Sequence, residues 1–284
     1  MGKLQEQITT GKKVNRPSDN PVVVMKGMAY RMQVDKIAQY QENLGEVNNW
    51  LDSTDDALDH VGKALHRANE LMVNAPTGTL TQKDREALLE EIKQLREQIQ
   101  DLANTKVGDK YLFSGTKTET APFTGGYPPL STDTNPAGPI TPFEKDVEIE
   151  VFDGITMAVN TNALKSFKDI DTMLADIETT ITDAGGPNPP NPPVRLDKFI
   201  TEIQTQMDVV LSSRANIGAR QNRSEMMGDR LDSQEGSAKK QMSENEDVEY
   251  EKAITDMITE EAIHRAALSV GARIIQPSLV DFLR

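Results

Sequence analysis

The chain has 284 residues, with 45 acidic against 31 basic side chains and a formal net charge of -14. A surface this negative repels phosphate backbones and anionic lipid headgroups, which excludes nucleic acid as a partner. Hydrophobic residues make up 37% and aromatics 5%, a balance that suits long helices with narrow buried stripes better than a compact sphere, and without cysteine there is neither a disulfide frame nor a thiolate metal site.

In chain order, Met1 to Ile8 is polar and lacks the apolar core of a secretory signal. Glu6 stands where an N-myristoylation pattern requires Ser or Thr. The clearest periodicity starts at Ile37: Ile37, Leu44, Leu51, Leu58, Leu65 and Met72 recur every seven residues, with a second row at Tyr40, Val47, Thr54, Val61 and Ala68. That heptad spacing keeps one stripe facing a partner helix. Pro76 and Gly78 end the run, and Thr81 with Asp84 three residues on forms a capping pair for a second helix. Its stripe is Leu88, Ile92, Leu95, Ile99 and Leu102, and the short connection predicts that the two helices lie antiparallel.

From Gly108 to Val194 the texture changes, because eleven of the fifteen prolines fall there and interrupt short apolar runs. Val147, Ile149 and Val151, then Asp153-Gly154, then Ile155, Met157 and Val159 read as a β-hairpin. A short helix follows through Phe167, Ile170, Leu174, Ile177 and Ile181, and Gly185 to Pro193 reads as a linker. Substitutions in the proline-rich part, at Asp133 or Asn135, are expected to be nearly neutral.

Beyond Pro193 a helical stripe resumes at Leu196, Ile200, Ile203, Met207 and Val210, interrupted by polar positions such as Arg214 and Gln221. Ser243 with Glu246 has capping-box spacing and predicts a new helix start there. Between Ala262 and Ile275, nine of fourteen residues are Ala, Ile, Leu or Val, so apolar surface wraps most of that helix. The segment is too short, and too punctuated by His264, Arg265 and Arg273, to span a membrane. It needs protein around it.

Candidate chemistry is thin. Glu261-Ala-Ile-His264 has the Glu-x-x-His spacing of a di-iron ligand pair, but Ala57 and Lys63 stand three residues before His60 and His66, so no second pair exists. A lone match on an acidic helix is expected by chance. The stretch Gly108 to Thr118, GDKYLFSGTKT, has the wrong glycine spacing for a phosphate loop and reads as a turn and strand entry. With three histidines, none between residues 111 and 194, catalysis has no visible carrier and no cofactor is expected.

The two ends carry a resemblance. Ile8-Thr-Thr-Gly-Lys-Lys-Val-Asn-Arg-Pro-Ser-Asp-Asn-Pro21, with Gly11, Asn15, Arg16, Ser18, Asp19 and Asn20, resembles the stretch that links inner and outer helical domains in bacterial flagellins and their hook-associated relatives. Arg214-Ala-Asn-Ile-Gly-Ala-Arg-Gln-Asn-Arg223, with Gly218, Gln221 and Asn222, is similar to a second motif of that family. Ser243 to Asp247, Ala266 to Val270 and the terminal Pro277-Ser-Leu-Val-Asp-Phe-Leu-Arg284 complete the series in the family's order. Within the family, Tyr111-Leu-Phe-Ser-Gly-Thr-Lys-Thr followed by Pro122-Phe123 resembles the members at the hook–filament junction, where filament flagellins usually carry an asparagine-rich stretch.

The periodicity and the resemblance together predict a mainly α protein: an elongated antiparallel helical bundle or coiled coil built from both chain ends, with a small, partly β domain inserted in the middle. The expected segments are a remnant of an inner terminal segment and linker at 1–25, helical shaft at 26–110, the inserted domain at 111–194, shaft again at 195–242, and a C-terminal inner helix at 243–284. Relatives begin with a further apolar helix before the position of Gly11, so truncation or a late-assigned start is expected here. The resemblance implies a structural role in the flagellum, export through the flagellar type III channel, and partners that include further copies in a ring, hook-associated protein 1, flagellin and an export chaperone. Filament flagellin, a secreted coiled-coil adhesin and an enzyme on flagellin-like arms remain the alternatives. Subunit contacts are expected at the motif residues named above and at Ile263, Leu268, Ile274, Ile275, Leu279 and Leu283.

Overall fold

A computed structural model describes residues 2–74, 81–123, 145–161, 163–184 and 197–275, with only the backbone described at 184, 197 and 273–275. The helix-breaking Pro76 and Gly78, Asp133 and Asn135, the Gly185 to Pro193 linker, Leu196, Leu279 and Leu283 lie outside the described residues, as do the side chains of Ile274 and Ile275. The elements in order are α1 (Gly2–Thr10), α2 (Pro21–Asn74), α3 (Gln82–Ala103), β1 (Lys106–Val107), β2 (Lys110–Tyr111), β3 (Glu148–Phe152), β4 (Ile155–Ala158), α4 (Leu164–Ala184), α5 (Asp197–Glu246) and α6 (Tyr250–Ile275). The protein is mainly α, and its β structure among the described residues is two antiparallel hairpins. It forms two compact units, Tyr40–Asp229 and the pair of end segments Met1–Gln39 and Arg230–Arg284, with the boundaries inside α2 and α5.

In the unit Tyr40–Asp229, the α2 seam is inside: Leu44, Leu51, Leu58 and Leu65 are buried, with Val47, Thr54, Val61 and Ala68 beside them. Arg67 pairs with Glu91 at 2.6 Å while Glu46 meets Lys110, beyond the end of α3, at 3.7 Å. That descending order is the one antiparallel helices produce. The Thr81–Asp84 capping box is formed in both directions at the start of α3, satisfying amides that the first helical turn leaves open. On α3, Leu88, Ile92, Leu95 and Ile99 are buried, whereas Leu102 is half-buried and Ala103 takes the last core position. The stripe rotates by one residue because the helix ends at Asn104, whose side chain turns back to bond both main-chain groups of Phe123 at 3.0 Å.

The β3–β4 hairpin turns at Asp153-Gly154, where Gly154 has φ +70°, a conformation that suits glycine. Its register shifts between Glu150 and Phe152, and Val151 and Met157 are buried. α4 buries Phe167, Ile170, Leu174, Ile177 and Ile181, and Phe113 meets Phe167 edge to face at 4.8 Å. In the stretch 108–118, Gly108 and Gly115 adopt positive φ while Leu112, Phe113 and Ser114 are buried; its glycines serve chain reversal.

Along α5 the buried residues Ile203, Val210, Ile217, Ser224, Leu231 and Ala238 recur every seven positions. The helix therefore runs unbroken to Glu246, and the start expected at Ser243 is corrected by the structure: Ser243 sits in the last turn of α5 and the chain breaks at 247–249. The physical reason is the Ser243 hydroxyl, which donates to Asp247 at 2.6 Å while the Asp247 amide donates to the Ser243 carbonyl. These bonds close a helix end rather than open a helix.

Candidate functional site

The family-motif positions fall in two places. One is the end unit, where residues 11–20 and 243–250 meet. α1 stops at Gly11, which has φ +72° and would bring any Cβ to 2.9 Å of the Tyr250 hydroxyl. The chain then runs alongside the α5–α6 break as a short antiparallel bridge, Lys12 opposite Asp247. The Lys13 amide donates to the Glu246 carbonyl at 2.6 Å, and the Val248 amide to the Gly11 carbonyl at 2.9 Å. Asn15 accepts from the Thr10 hydroxyl at 2.8 Å; Asp19 accepts from the Arg16 amide and pairs with Lys3 at 3.3 Å; Ser18 is exposed. Asn20 caps α2, its side-chain oxygen accepting from the Val22 and Val23 amides ahead of Pro21 at the first helical position.

Beneath the bridge lies Glu246, 8% exposed. Its carboxylate meets Arg31 at 2.6 Å and Lys12 at 3.3 Å, and Lys12 also reaches Asp247 at 2.8 Å. Burial pushes the Glu246 carboxyl up, but hydrogen bonds and charge from Arg31 and Lys12 outweigh it and hold the group below the usual carboxylate range. The Lys12 bond, then the Ser243 hydroxyl, lower Asp247 as well. Lys12 itself is raised, chiefly by Asp247. Asn245 ties the same turn to α2 by donating to the Val23 carbonyl at 2.9 Å.

The second place is in the unit Tyr40–Asp229, where α5 and α2 exchange a ladder of polar contacts. Arg214 forks onto Asp55 at 2.9 and 3.1 Å and onto Asp59 at 2.6 Å. Gln221 donates to Asp52 at 2.7 Å, and the Ser224 hydroxyl donates to Asn48 at 2.5 Å. Gly218 is half-buried with open space where a Cβ would stand, and Asn222 is exposed. Arg220, not singled out from the sequence, donates to the carbonyls of Ala158 and Asn160 at 3.1 and 2.8 Å, tying α5 to the end of β4.

Two features escaped sequence reading. One is Glu246 as a buried anchor, which needed its pairing with Lys12 and Arg31 from the far end of the chain. The other is Arg96, whose guanidinium grips Asp171 at 2.7 and 3.1 Å and Glu178 at 3.4 Å between α3 and α4. The charge of Asp171 beside Ile170 and Leu174 in an otherwise apolar stripe could have pointed to the second, whereas Glu246, in an acidic run, carried no such signal.

The expected contact positions on α6 are open in the single chain: Ile263 is 62% and Leu268 61% exposed. Ile254, Ile258 and Val270 add to the same helix, and Val22, Met25, Met28 and Met32 form an exposed stripe at the start of α2. Glu261 pairs with Arg265 along α6, and His264 is exposed. No helix among the described residues is long and apolar enough to cross a membrane.

The model of the bacterial flagellin N-terminal helical region matches residues 1–118, and that of the C-terminal helical region matches residues 200–283. Flagellar hook-associated protein 3 of Escherichia coli K12 is 28% identical over 280 residues, covering 93% of this chain and 87% of its own. Its counterpart from Salmonella typhimurium is 27% identical with the same coverage. Among solved structures, a protein from Vibrio parahaemolyticus described as flagellar hook-associated superposes with a TM-score of 0.66 at 25% identity, over 81% of this chain and 100% of the other. Bacillus cereus FlgL shares the fold with a TM-score of 0.61 at 23% identity, over 76% of this chain and 99% of the other. With both helical-region models matched in order at its two ends, this chain belongs to the bacterial flagellin family.

Proposed function

We infer that the protein is a structural subunit of the bacterial flagellum at the junction between hook and filament. The observation that carries this reading is the extent of likeness: hook-associated protein 3 relatives align across 93% of the chain, through its middle, whereas the flagellin of Clostridium tyrobutyricum aligns over 40%. Filament flagellin is the second reading, favoured by a core filament protein of Borreliella burgdorferi that aligns over 81% at 24% identity.

The role is one of assembly and not catalysis. Further copies in a ring, hook-associated protein 1 on one side and flagellin on the other are the partners, with a chaperone holding the chain before export through the flagellar type III channel. The net charge of -14 supports the absence of nucleic acid from that set. The open positions of α6, Ile263 and Leu268, form the subunit contacts, the linker and α5 motif residues hold the chain's own elements in place for them, and the seam from Ile37 through Leu65 with Leu88 to Ile99 serves as the core. The functional division in this reading is linker to 25, shaft to 110, insert to 194, shaft and inner helix, with the last boundary at the α5–α6 break rather than at 242.

Complementation tests it. In a strain lacking its own hook-associated protein 3, this chain should restore attached filaments and swimming. Growth of long filaments of this chain in a strain lacking flagellin would favour the filament reading instead.

A further inference from the structure

Gly27 lies in the interior of α2, where glycine costs about 1 kcal/mol relative to alanine, and it is buried. Its missing Cβ is explained by a single neighbour: a methyl group there would collide with the carboxylate of Glu246, whose Cδ and Cγ lie 3.0 and 3.2 Å from that point. The glycine opens a slot in α2 and the glutamate fills it. Around the slot the charged groups are Arg31 from α2, Lys12 from the linker after α1, and Asp247 on the far side of Lys12. Lys13 lies next to these, its ammonium bonding the Glu244 carbonyl at 3.0 Å and reaching Glu249 at 4.0 Å.

We propose that Glu246, seated by Gly27, is a proton-operated latch that holds the two chain-end linkers together, and that the linkers part when its carboxylate is neutralised. Three contacts converge on this one residue: Arg31 binds its side chain from α2, Lys12 binds the same carboxylate from the opposite linker, and its main-chain carbonyl accepts the Lys13 amide of the bridge. Protonation removes the negative charge that both cations bond, leaving only a weak neutral acceptor between them. The slot at Gly27 then holds a neutral acid where it held a paired anion.

The sign follows from the surroundings. The folded state holds the Glu246 carboxyl below its ordinary value, so the latch contributes in full above that value and is lost as pH falls through the lower, folded one. The latch is closed at neutral pH and opens only in acid. Asp247 is lowered in the same way, but it is half-exposed and meets a single cation strongly, Lys12, so it assists and does not replace Glu246.

The test uses the full chain and hydrogen exchange of the peptides that contain the Lys13 and Val248 amides, each rate divided by its intrinsic rate at the same pH. In the wild type, protection of both should fall about tenfold or more between pH 6 and pH 3, while the seam around Leu51 stays protected. Glu246→Gln should show the lowered protection already at pH 6 and change less than about threefold on acidification. Gly27→Ala keeps every charge and displaces the carboxylate, so it should also open the bridge at pH 6. Asp247→Asn should keep the acid response. Wild-type protection in Glu246→Gln at pH 6, an undiminished acid loss in that variant, or simultaneous loss at the Leu51 seam in the wild type would each overturn the latch. The measurement concerns the single chain, so it stands or falls separately from the junction reading.

Discussion

Between Tyr40 and Asp229 the large apolar residues point inward, and Leu51, Leu65, Ile92, Phe113, Phe167, Leu174 and Ile203 are essentially inaccessible. In the unit made by the chain ends the balance shifts: among the described residues, ten of the fourteen exposed large apolar side chains belong to it, and beside a few buried apolar residues, Ile37, Leu231, Ala238 and Ala253, its linkers are tied by ionic and main-chain contacts. The first unit carries its stability within itself. The second presents apolar surface that water penalises at about 25 cal/mol per Å², held in place by a buried carboxylate and a short bridge. A family that builds assemblies needs both kinds of part, one that folds before assembly and one that is completed by it.

The sharpest way to break that contrast is inside the first unit. Leu51→Asp places an unpaired carboxylate at a position with no exposure and should cost about 3 kcal/mol or more, read as a lower denaturant midpoint for helix loss. A loss below about 1 kcal/mol would mean that the α2 seam is not a core. Close behind is Arg96→Leu. It leaves Asp171, whose side chain is 4% exposed, and Glu178 without their cation, and breaking one side of a buried pair costs about 3 kcal/mol. Arg96→Leu combined with Asp171→Leu should recover most of it, which would separate the charge from the packing.

Much of this unit was legible in the residues. The heptad of α2, the Thr81 capping box and the Asp-Gly hairpin each follow from local spacing, because helix and strand periods are set within a few residues. Legibility failed where a distant partner decided the outcome. α5 buries a residue every seventh position from Ile203 to Ala238, but Ser224 occupies one of those places and Arg214 and Gln221 flank the row, so the stripe looked broken until α2 supplied Asn48, Asp55, Asp59 and Asp52 as partners. Ser243 misled for the same reason: its hydroxyl has a capping residue's spacing to Glu246, yet Glu246 is engaged by Arg31 and Lys12 and leaves Ser243 to Asp247. At the candidate site the linker residues were recognisable as a motif, whereas the pairing that gives them a purpose was not.

The surface ladder is the next test, with a smaller effect. Arg214→Ala removes a fork onto Asp55 and Asp59, but all three side chains are about a third exposed. Water and salt screen such pairs, and the expected loss is about 1 kcal/mol, shrinking at high ionic strength. Gly62→Ala should act in the opposite direction. Nothing lies within 4 Å of the added methyl group, so the variant should gain about 0.5–1 kcal/mol by relieving a helix-interior glycine.

The smallest effect on the lone chain belongs to the end unit, and it is the one that separates folding from assembly. Ile258 and Ile263 are 59% and 62% exposed on α6, so replacing both with serine removes almost no buried area. Surface changes of this kind stay within about 0.5 kcal/mol, and the helix itself loses little because serine and isoleucine have similar helix propensities. The denaturation curve should therefore overlay that of the wild type. If the same residues are covered in the flagellum, each substitution forfeits roughly 1.5–3 kcal/mol per contact on assembly, and the double variant should fold normally yet fail to restore attached filaments in a strain lacking its own junction protein. Loss of stability in the isolated chain would show that α6 is already packed as a monomer, and full complementation would remove α6 from the subunit contact.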